Sequence, residues 1–203
     1  MKLYGAPKPA PNPRRVRMFL VEKGIDLPET PIDMSKREHK SAEYRQMNSL
    51  GQVPTLLLDD GTAISETVAI CRYFEELHPE PALFGKTAFE KANVDMWIRR
   101  IEFQLMSPVG NFWRHAHPYT AALLNQHKEF GESNREAYSN AQRWLDRELE
   151  TREFIAGDAF SMADICALST VDFAHWIGLD IDAERSHLAA WHQRIKARPS
   201  AKA

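Results

Sequence analysis

The sequence predicts a two-part chain: an α/β domain over residues 1–79, a linker over residues 80–87 and an all-α domain over residues 88–203. In the first part, short apolar runs of β type alternate with amphipathic helical segments in the order β-α-β-α-β-β-α, which builds one mixed sheet with helices packed on it. Beyond Pro79-Glu80-Pro81, almost every apolar pattern has the helical period. With 203 residues, the chain is long enough for both parts to bury a core.

Composition places the chain among ordinary globular proteins, with 43% hydrophobic residues, 27% charged residues and a formal net charge of −2. This balance gives no electrostatic footprint for nucleic acid or an anionic membrane. A run of about 18 apolar residues and a signal-peptide pattern are both absent, so we expect a cytoplasmic protein. Cys71 and Cys166 lie far apart inside helical patterns, which indicates buried structural thiols rather than a disulfide or a redox pair.

The first strand and helix are predicted from the N-terminal 24 residues. Lys2-Leu3-Tyr4 is typical of a short strand, and the proline-rich stretch Gly5–Pro11 that follows is irregular. Asn12 and Pro13 form an N-cap and N1 pair, so we expect the helix N-terminus at Asn12 and its end at Gly24. The apolar face of this helix is formed by Val16, Phe19 and Leu20.

The next elements are a strand over Thr30–Met34, a short helix over Ser41–Met47 and a β-hairpin. The hairpin pairs the apolar run Thr55–Leu58 with Thr62–Ile64, because Asp59-Asp60-Gly61 between them carries the Asp-Gly turn signal. A helix follows directly, with Ser65 as its N-cap and Glu66 in its first turn. Its apolar positions recur at helical spacing and are Ile70, Tyr73, Phe74 and Leu77.

The junction of this hairpin and helix suits a small zwitterionic ligand. If the Val53–Pro54 bond is cis, Val53 exposes its N–H and C=O to an extended peptide backbone. Glu66 offers a carboxylate to an ammonium group, while Thr67 and the free N–H groups of the first turn suit a carboxylate. The alternative interpretation is a plain strand start followed by a capped helix, which is a common arrangement.

The second half is predicted to contain helical segments interrupted by proline. They cover Ala88–His115, Tyr119–Glu150, Met162–Ile177 and Ala183–Ala197. Pro108 should kink the first segment and Pro118 should end it. Ser161 and Asp164 match a capping box at the start of a helix, in which each residue's side chain bonds the other's N–H group.

Three motifs together carry a resemblance to soluble glutathione transferases. Gly51-Gln52-Val53-Pro54-Thr55, Ser65-Glu66-Thr67-Val68-Ala69-Ile70 and the stretch Gly157–Asp164 stand in the order and separation found in that superfamily. Within it, Asn12–Arg17 and Glu38-His39-Lys40 look most like a bacterial and fungal group that lacks the usual activating residue. The resemblance implies a thioredoxin-like N-terminal domain, an all-helical C-terminal domain and a homodimer in which the α/β domain of one subunit packs on the helical domain of the other.

The resemblance also implies a glutathione site, position by position. Glu66 and Thr67 would hold the γ-glutamyl head group, and Val53 before a cis Pro54 would pair with the cysteinyl backbone. The implied co-substrate is glutathione, and no metal is expected. The Ser161 capping box would be structural.

The glycyl carboxylate of glutathione would face the side chains of Gln52 and Lys40, by the same resemblance. His39 is the neighbouring alternative to Lys40. The thiol of glutathione must be held as a thiolate, because the thiolate is the nucleophile. Most of the superfamily uses a Tyr, Ser or Cys near the first strand for this purpose, and Asn12 stands at the Ser/Cys position here.

No Ser, Thr or Cys lies between Gly5 and Arg17, and Tyr4 falls too early in the strand to replace the usual hydroxyl or thiol. An anion beside Asn12 would lie at a helix N-terminus, where its amide N–H and the helix dipole contribute about 1 kcal/mol. That is less than one pKa unit. The sequence therefore predicts a second donor.

His115, and after it His117, are the predicted second donors, acting directly or through a water. Two ordinary histidines at a helix end are the alternative, and a His-x-His metal site lacks a third ligand nearby. The electrophile pocket is predicted to be apolar. Its candidate residues are Phe112, Trp113, His117 and Tyr119, although aromatic residues at helical spacing also occur in cores.

Two classes of function follow. The first is an enzyme that transfers glutathione to a small hydrophobic electrophile, or that uses glutathione for peroxide or disulfide reduction. The second is a non-catalytic glutathione-transferase-like binding protein, which the missing hydroxyl or thiol at Asn12 favours. Isomerase activity of the zeta type is disfavoured because its Ser-rich N-terminal motif is absent. Nucleic acid and membranes are not expected partners.

Overall fold

The computed structural model describes the whole chain, residues 1–203, as two compact units. The first unit comprises Met1–Leu83 and Pro199–Ala203, and the second comprises Phe84–Arg198. Strands occur only in the first unit and helices make up the second, which confirms the predicted α/β plus all-α fold class. The first unit extends beyond residue 79 and takes in the last five residues of the chain, which the sequence assigns to the helical part.

The first unit contains one mixed four-stranded sheet in the order β2-β1-β3-β4. β1 runs parallel to β2 and antiparallel to β3, and β3 runs antiparallel to β4. The predicted element order is confirmed. The bounds are β1 Lys2–Gly5, α1 Pro11–Lys23, β2 Glu29–Pro31, a 3₁₀ turn Glu38–Lys40, α2 Ala42–Met47, β3 Thr55–Leu57, β4 Ala63–Ser65 and α3 Thr67–Leu77.

Helix α1 begins two residues earlier than the predicted pair of Asn12 as N-cap and Pro13 as first helical residue. Pro11 is its first residue and Ala10 precedes it, so Asn12 is not the N-cap and its side chain caps nothing. Proline suits the first helical position because its φ is fixed near the helical value and its missing N–H has no partner there. The predicted end is confirmed, since Gly24 closes α1 with φ 66°. The predicted apolar face is buried at Val16, Phe19 and Leu20.

Helix α3 begins two residues after the predicted N-cap. Ser65 pairs with Thr55 in the sheet, so it is extended, and Glu66 precedes the helix with φ 71° and no side-chain cap. The pairing of the hairpin strands overrides the local capping preference of Ser65. Ile70 and Phe74 are buried as predicted. Leu77, predicted to face the core, is 50% exposed.

The second unit consists of helices and connecting segments. Their bounds are α4 Ala88–Arg100, a π-helical stretch Ile101–Met106, α5 Ser107–His115, a 3₁₀ turn Pro118–Thr120, α6 Lys128–Leu149, α7 Met162–Trp176 and α8 Ser186–Lys196. Residues 88–115 are helical throughout, and the π-helical stretch ends just before Pro108, which has no N–H for the carbonyl of residue 104.

The predicted single helix over Tyr119–Glu150 is wrong at its start, since α6 begins only at Lys128. The Thr120 hydroxyl donates to the carbonyl of Trp113 at 2.6 Å, and the Gln126 side-chain amide donates to the carbonyl of His117 at 2.9 Å. These bonds satisfy carbonyls at the end of α5 and hold the intervening residues in a non-helical path.

Asp164 is the polar centre of the second unit and is completely buried. Its Oδ2 accepts hydrogen bonds from the Ser161 N–H at 3.0 Å and the Ser161 hydroxyl at 3.1 Å. Its Oδ1 accepts from the Ile155 N–H at 3.0 Å and from Trp191 Nε1 at 2.9 Å. The predicted capping box at Ser161 is confirmed, and the same carboxylate also binds α8 and the loop before α7.

Candidate functional site

The candidate site lies at one end of the sheet in the first unit. Tyr4 pairs with Thr55, and Thr55 pairs with Ser65, so these three residues form a row across β1, β3 and β4. The chain enters β3 at this end and leaves β1 and β4 there. As a result, Val53 and the start of α3 meet at the same end, and α1 begins six residues after β1 ends.

Val53 presents a free peptide backbone at this end. Its N–H and C=O make no hydrogen bond within the chain, whereas the strand that follows is fully paired. The Val53–Pro54 peptide bond is cis, as the sequence indicates. The Val53 side chain is half-buried and Pro54 is buried. An extended peptide would find one donor and one acceptor here.

Glu66 and Thr67 stand beside Val53 at the start of α3. The Glu66 carbonyl accepts the N–H of Ile70 at 3.0 Å, but its exposed carboxylate makes no hydrogen bond or ion pair within the chain. Thr67 is the first helical residue and is 7% exposed. A free carboxylate next to the positive end of a helix dipole can receive an ammonium group while the helix N–H groups receive a carboxylate.

Lys40 and His39 lie on the 3₁₀ turn before α2. Lys40 Nζ donates to the carbonyls of Leu50 at 3.1 Å and Gly51 at 2.6 Å, which leaves one of its three N–H donors free. Burial, followed by the charges of nearby arginines, lowers the pKa of Lys40. Burial, followed by the charge of Lys40, also lowers the pKa of His39, whose buried Nδ1 has no partner. The Gln52 side chain is exposed.

The first turn of α1 offers a single backbone donor. Pro11 and Pro13 have no N–H, and the N–H of Ala10 donates to the Pro7 carbonyl at 3.2 Å. Because the first four N–H positions of a helix have no partner inside it, the N–H of Asn12 is the one left free in this turn. The Asn12 side chain is half-buried and makes no hydrogen bond within the chain.

The two candidate histidines belong to the second unit. His115 Nδ1 accepts the N–H of His127 at 3.3 Å, and its ring packs edge-on against Phe130 at 5.4 Å. His117 Nδ1 accepts the N–H of Tyr119 at 3.3 Å. A neutral imidazole that accepts at Nδ1 carries its proton on Nε2, so each ring has an Nε2–H donor. Burial lowers the pKa of His117.

The candidate pocket aromatics form a cluster around Trp113. Tyr119 stacks on Trp113 at 5.4 Å, and His117 packs against it at 4.7 Å. The sequence did not indicate two further members, Phe173 at 5.5 Å and Trp176 at 5.4 Å, both from α7. Phe112 is 2% exposed and lies in the core of the unit. Tyr119 and Trp176 keep 59% and 49% of their surface exposed.

Both halves of the chain are similar to known proteins. Residues 10–77 match the family model "Glutathione S-transferase, N-terminal domain", and residues 112–199 match "Glutathione S-transferase, C-terminal domain". Glutathione S-transferase 2 of Saccharomyces cerevisiae is 38% identical over 206 residues, covering 100% of this chain and 88% of the relative. The chain belongs to the glutathione S-transferase family.

Solved structures of the glutathione S-transferase family agree with the fold. The crystal structure of Gtt2 from S. cerevisiae has a TM-score of 0.93 at 38% identity, covering 100% of this chain and 99% of that one. A glutathione S-transferase domain-containing protein of Marinobacter aquaeolei has a TM-score of 0.92 at 36% identity, covering 98% and 99%. The predicted superfamily, the thioredoxin-like N-terminal domain and the assignment as a glutathione transferase are confirmed.

The sequence analysis did not identify the residues that bind the carbonyl group next to Val53. The Tyr44 hydroxyl and Asn48 Nδ2 donate to the Gln52 carbonyl at 2.8 and 2.9 Å, and both also contact the Thr55 hydroxyl. A signal was available, because Lys40, Tyr44 and Asn48 recur every four residues ahead of the Val53 motif.

No helix combines the length and apolar character that a membrane span requires. Three or more His, Cys, Asp or Glu side chains do not come together anywhere in an arrangement suited to a metal ion.

Proposed function

We propose that the protein binds glutathione at the Val53 end of the sheet and activates its thiol for attack on a small hydrophobic electrophile, which joins the electrophile to glutathione through the sulfur. The observation that carries the proposal is the free N–H and C=O of Val53 beside the unpaired carboxylate of Glu66. The cysteinyl backbone of glutathione pairs with Val53. Its γ-glutamyl ammonium binds Glu66, and its α-carboxylate binds Thr67 and the first-turn N–H groups of α3.

The glycyl carboxylate of glutathione is held by Lys40 and the Gln52 side chain in this proposal. Lys40 keeps one N–H donor for a ligand after binding two backbone carbonyls, and the Gln52 side chain is exposed to a ligand. His39 is less suited, because burial lowers its pKa and so disfavours the charged imidazolium that would attract a carboxylate.

The thiolate of glutathione is stabilised by the N–H of Asn12 together with the dipole of α1. One free N–H in an otherwise proline-filled turn supports this role, and the expected contribution is about 1 kcal/mol. We assign the second donor to His115, with His117 as the alternative, because each accepts a backbone N–H at Nδ1 and so keeps an Nε2–H donor. The electrophile binds against Trp113, His117 and Tyr119.

The protein accordingly belongs, in this proposal, to an atypical bacterial and fungal group without the Tyr, Ser or Cys that usually activates the thiol. The absence of Ser, Thr and Cys between Gly5 and Arg17 supports this placement. Tyr4 lies within β1, with its ring edge-on to Tyr44 at 6.4 Å. The similarity to a yeast and a marine bacterial protein is consistent with it.

A non-catalytic glutathione-binding protein is the second candidate function. One observation favours it: the position of the usual hydroxyl or thiol carries an amide, and the helix dipole alone lowers a thiol pKa by less than about one unit. Both candidates require the same glutathione site, so they differ only in the pKa of the bound thiol.

Replacing Glu66 with Gln tests the glutathione site. We expect the glutathione Kd to rise about 10- to 100-fold, because a charge-assisted hydrogen bond to the ammonium is worth about 1.5–3 kcal/mol. Isothermal titration calorimetry measures this Kd. Glu76→Gln is the matched control, because Glu76 lies on the exposed side of α3. N-acetylglutathione should bind the wild-type protein and Glu66→Gln equally weakly. An unchanged Kd for glutathione would sink the assignment of Glu66.

We also propose a homodimer and a cytoplasmic location. Phe89, Met96 and Phe103 recur every seven residues along α4 and the π-helical stretch and are 78%, 40% and 58% exposed. A second copy would cover this apolar surface. The buried thiols of Cys71 and Cys166 form no disulfide, in keeping with a reducing compartment.

Light scattering coupled to gel filtration tests the dimer. The wild-type protein should run at twice the chain mass of 23.3 kDa, and Met96→Glu should shift it to the monomer because a carboxylate would be buried in an apolar interface. Glu76→Gln is again the control. A wild-type protein that runs as a monomer at micromolar concentration contradicts the dimer.

A further inference from the structure

The three carbonyls that precede Val53 are all occupied by side chains from one helical segment. Lys40 binds the carbonyls of Leu50 and Gly51, and Tyr44 and Asn48 both bind the carbonyl of Gln52. We name Lys40, Tyr44 and Asn48 the carbonyl clamp. All three side chains come from the short segment between the end of the 3₁₀ turn and the residue that follows α2. The first carbonyl without a partner after them is that of Val53.

The Gln52 end of the clamp is a closed and buried hydrogen-bond network. Tyr44, Asn48 and Thr55 are 3%, 5% and 0% exposed. Asn48 Nδ2 donates to the Thr55 hydroxyl at 3.2 Å, and the hydroxyls of Thr55 and Tyr44 are 2.9 Å apart. Burial raises the pKa of Tyr44, so its hydroxyl stays protonated and can donate to the Gln52 carbonyl. Every donor in the network therefore has an acceptor.

This network fixes the orientation of the Gln52 carbonyl and, with it, that of the Val53 N–H group. The carbonyl of Gln52 and the N–H of Val53 belong to the same planar trans peptide unit, in which the two groups point in opposite directions. Tyr44 and Asn48 draw the carbonyl into the interior of the unit. The N–H of Val53 must then point away from the interior.

We propose that Tyr44 and Asn48 are positioning residues for glutathione, which set the orientation of the Val53 peptide without touching the ligand. This inference rests on the proposed function, since it assumes that Val53 pairs with the cysteinyl backbone of glutathione. Preorganisation of this kind lowers the entropy that the site loses on binding, so it acts on affinity. It leaves the thiol chemistry unchanged once glutathione is bound.

The test compares Tyr44→Phe with Ser41→Ala. Tyr44→Phe removes only the hydroxyl that binds Gln52. Ser41→Ala removes the N-cap of the same helix, where the Ser41 hydroxyl accepts the N–H of Tyr44 at 3.1 Å, and so weakens α2 while keeping the clamp. We expect Tyr44→Phe to raise the glutathione Kd and KM about three- to tenfold, the loss expected for one hydrogen bond. The kcat at saturating glutathione and the KM for the electrophile should stay at the wild-type values.

A merely structural role for Tyr44 predicts another result. Loss of folded protein would lower the apparent kcat in both variants and leave the glutathione KM unchanged. Equal glutathione KM values in Tyr44→Phe, Ser41→Ala and the wild-type protein would overturn the positioning role alone. A wild-type protein that fails to bind glutathione would overturn the proposed function, and the positioning role with it.

Discussion

Replacing Asp164 with Ala is expected to lower the free energy of unfolding by about 3–5 kcal/mol, because it leaves buried donors without an acceptor. The N–H groups of Ser161 and Ile155 and the indole N–H of Trp191 all donate to this carboxylate, inside a region that excludes water. Each buried N–H group left without an acceptor destabilises the folded state, because it has given up its hydrogen bond to water and gains none in return. Urea unfolding followed by circular dichroism measures the loss.

Two further variants separate the network from a simple loss of charge. Asp164→Asn keeps one oxygen acceptor but turns an NH₂ group toward one set of donors, so we expect about half the loss of the alanine variant. Asp158→Ala, in the exposed part of the loop before α7, should change the free energy of unfolding by less than about 0.5 kcal/mol. A loss below about 1 kcal/mol for Asp164→Ala would contradict this role.

Replacing Lys23 with Met is expected to lower the free energy of unfolding of the first unit by about 3–5 kcal/mol, because it removes one partner of a buried ion pair. The Lys23 side chain is fully buried, and its Nζ lies 2.6 Å from Glu75 Oε2. The same ammonium donates to the carbonyls of His78 at 2.8 Å and Pro81 at 2.5 Å. One lysine thus links the end of α1, α3 and the segment that follows it.

The double variant Lys23→Met with Glu75→Leu should recover at least half of that loss, because it no longer buries an unpaired carboxylate. Lys36→Met is the matched control, since Lys36 is 75% exposed and pairs only with Asp33 at 3.5 Å. We expect the free energy of unfolding of this control to lie within about 0.5 kcal/mol of the wild-type value. Equal loss in the single and double variants would show that the ion pair is not the source of the stability.

The buried face of α1 was predictable from local sequence, whereas the starts of α1 and α3 were not. Val16, Phe19 and Leu20 repeat at helical spacing, and this pattern is independent of the rest of the fold. Ser65 has the chemistry of an N-cap, yet pairing with Thr55 places it in a strand. The Asp59-Asp60-Gly61 turn predicts the hairpin, but it does not say how far the pairing extends, and the pairing runs past Ile64 to Ser65.

The candidate site shows the same division between local motifs and tertiary contacts. Val53, Glu66 and Thr67 come from short motifs, and the sheet brings them to one end as expected from the hairpin. The support from Tyr44 and Asn48 depends on where the loop before β3 crosses α2, which the sequence does not state. Trp176 joins the Trp113 cluster from another helix for the same reason.

In the proposed mechanism, the backbone N–H of Asn12 holds the glutathione thiolate and the Asn12 side chain does not. The most direct measurement is the ultraviolet absorbance of bound glutathione thiolate across pH, in the wild-type protein, Asn12→Ala, Asn12→Pro and His115→Ala. We expect the bound thiol pKa to lie below that of free glutathione and to be unchanged in Asn12→Ala. It should rise by about 0.5–1 unit in Asn12→Pro, which lacks the N–H at a position where the first turn tolerates proline. A raised pKa in Asn12→Ala, or a wild-type pKa equal to that of free glutathione, would contradict the account.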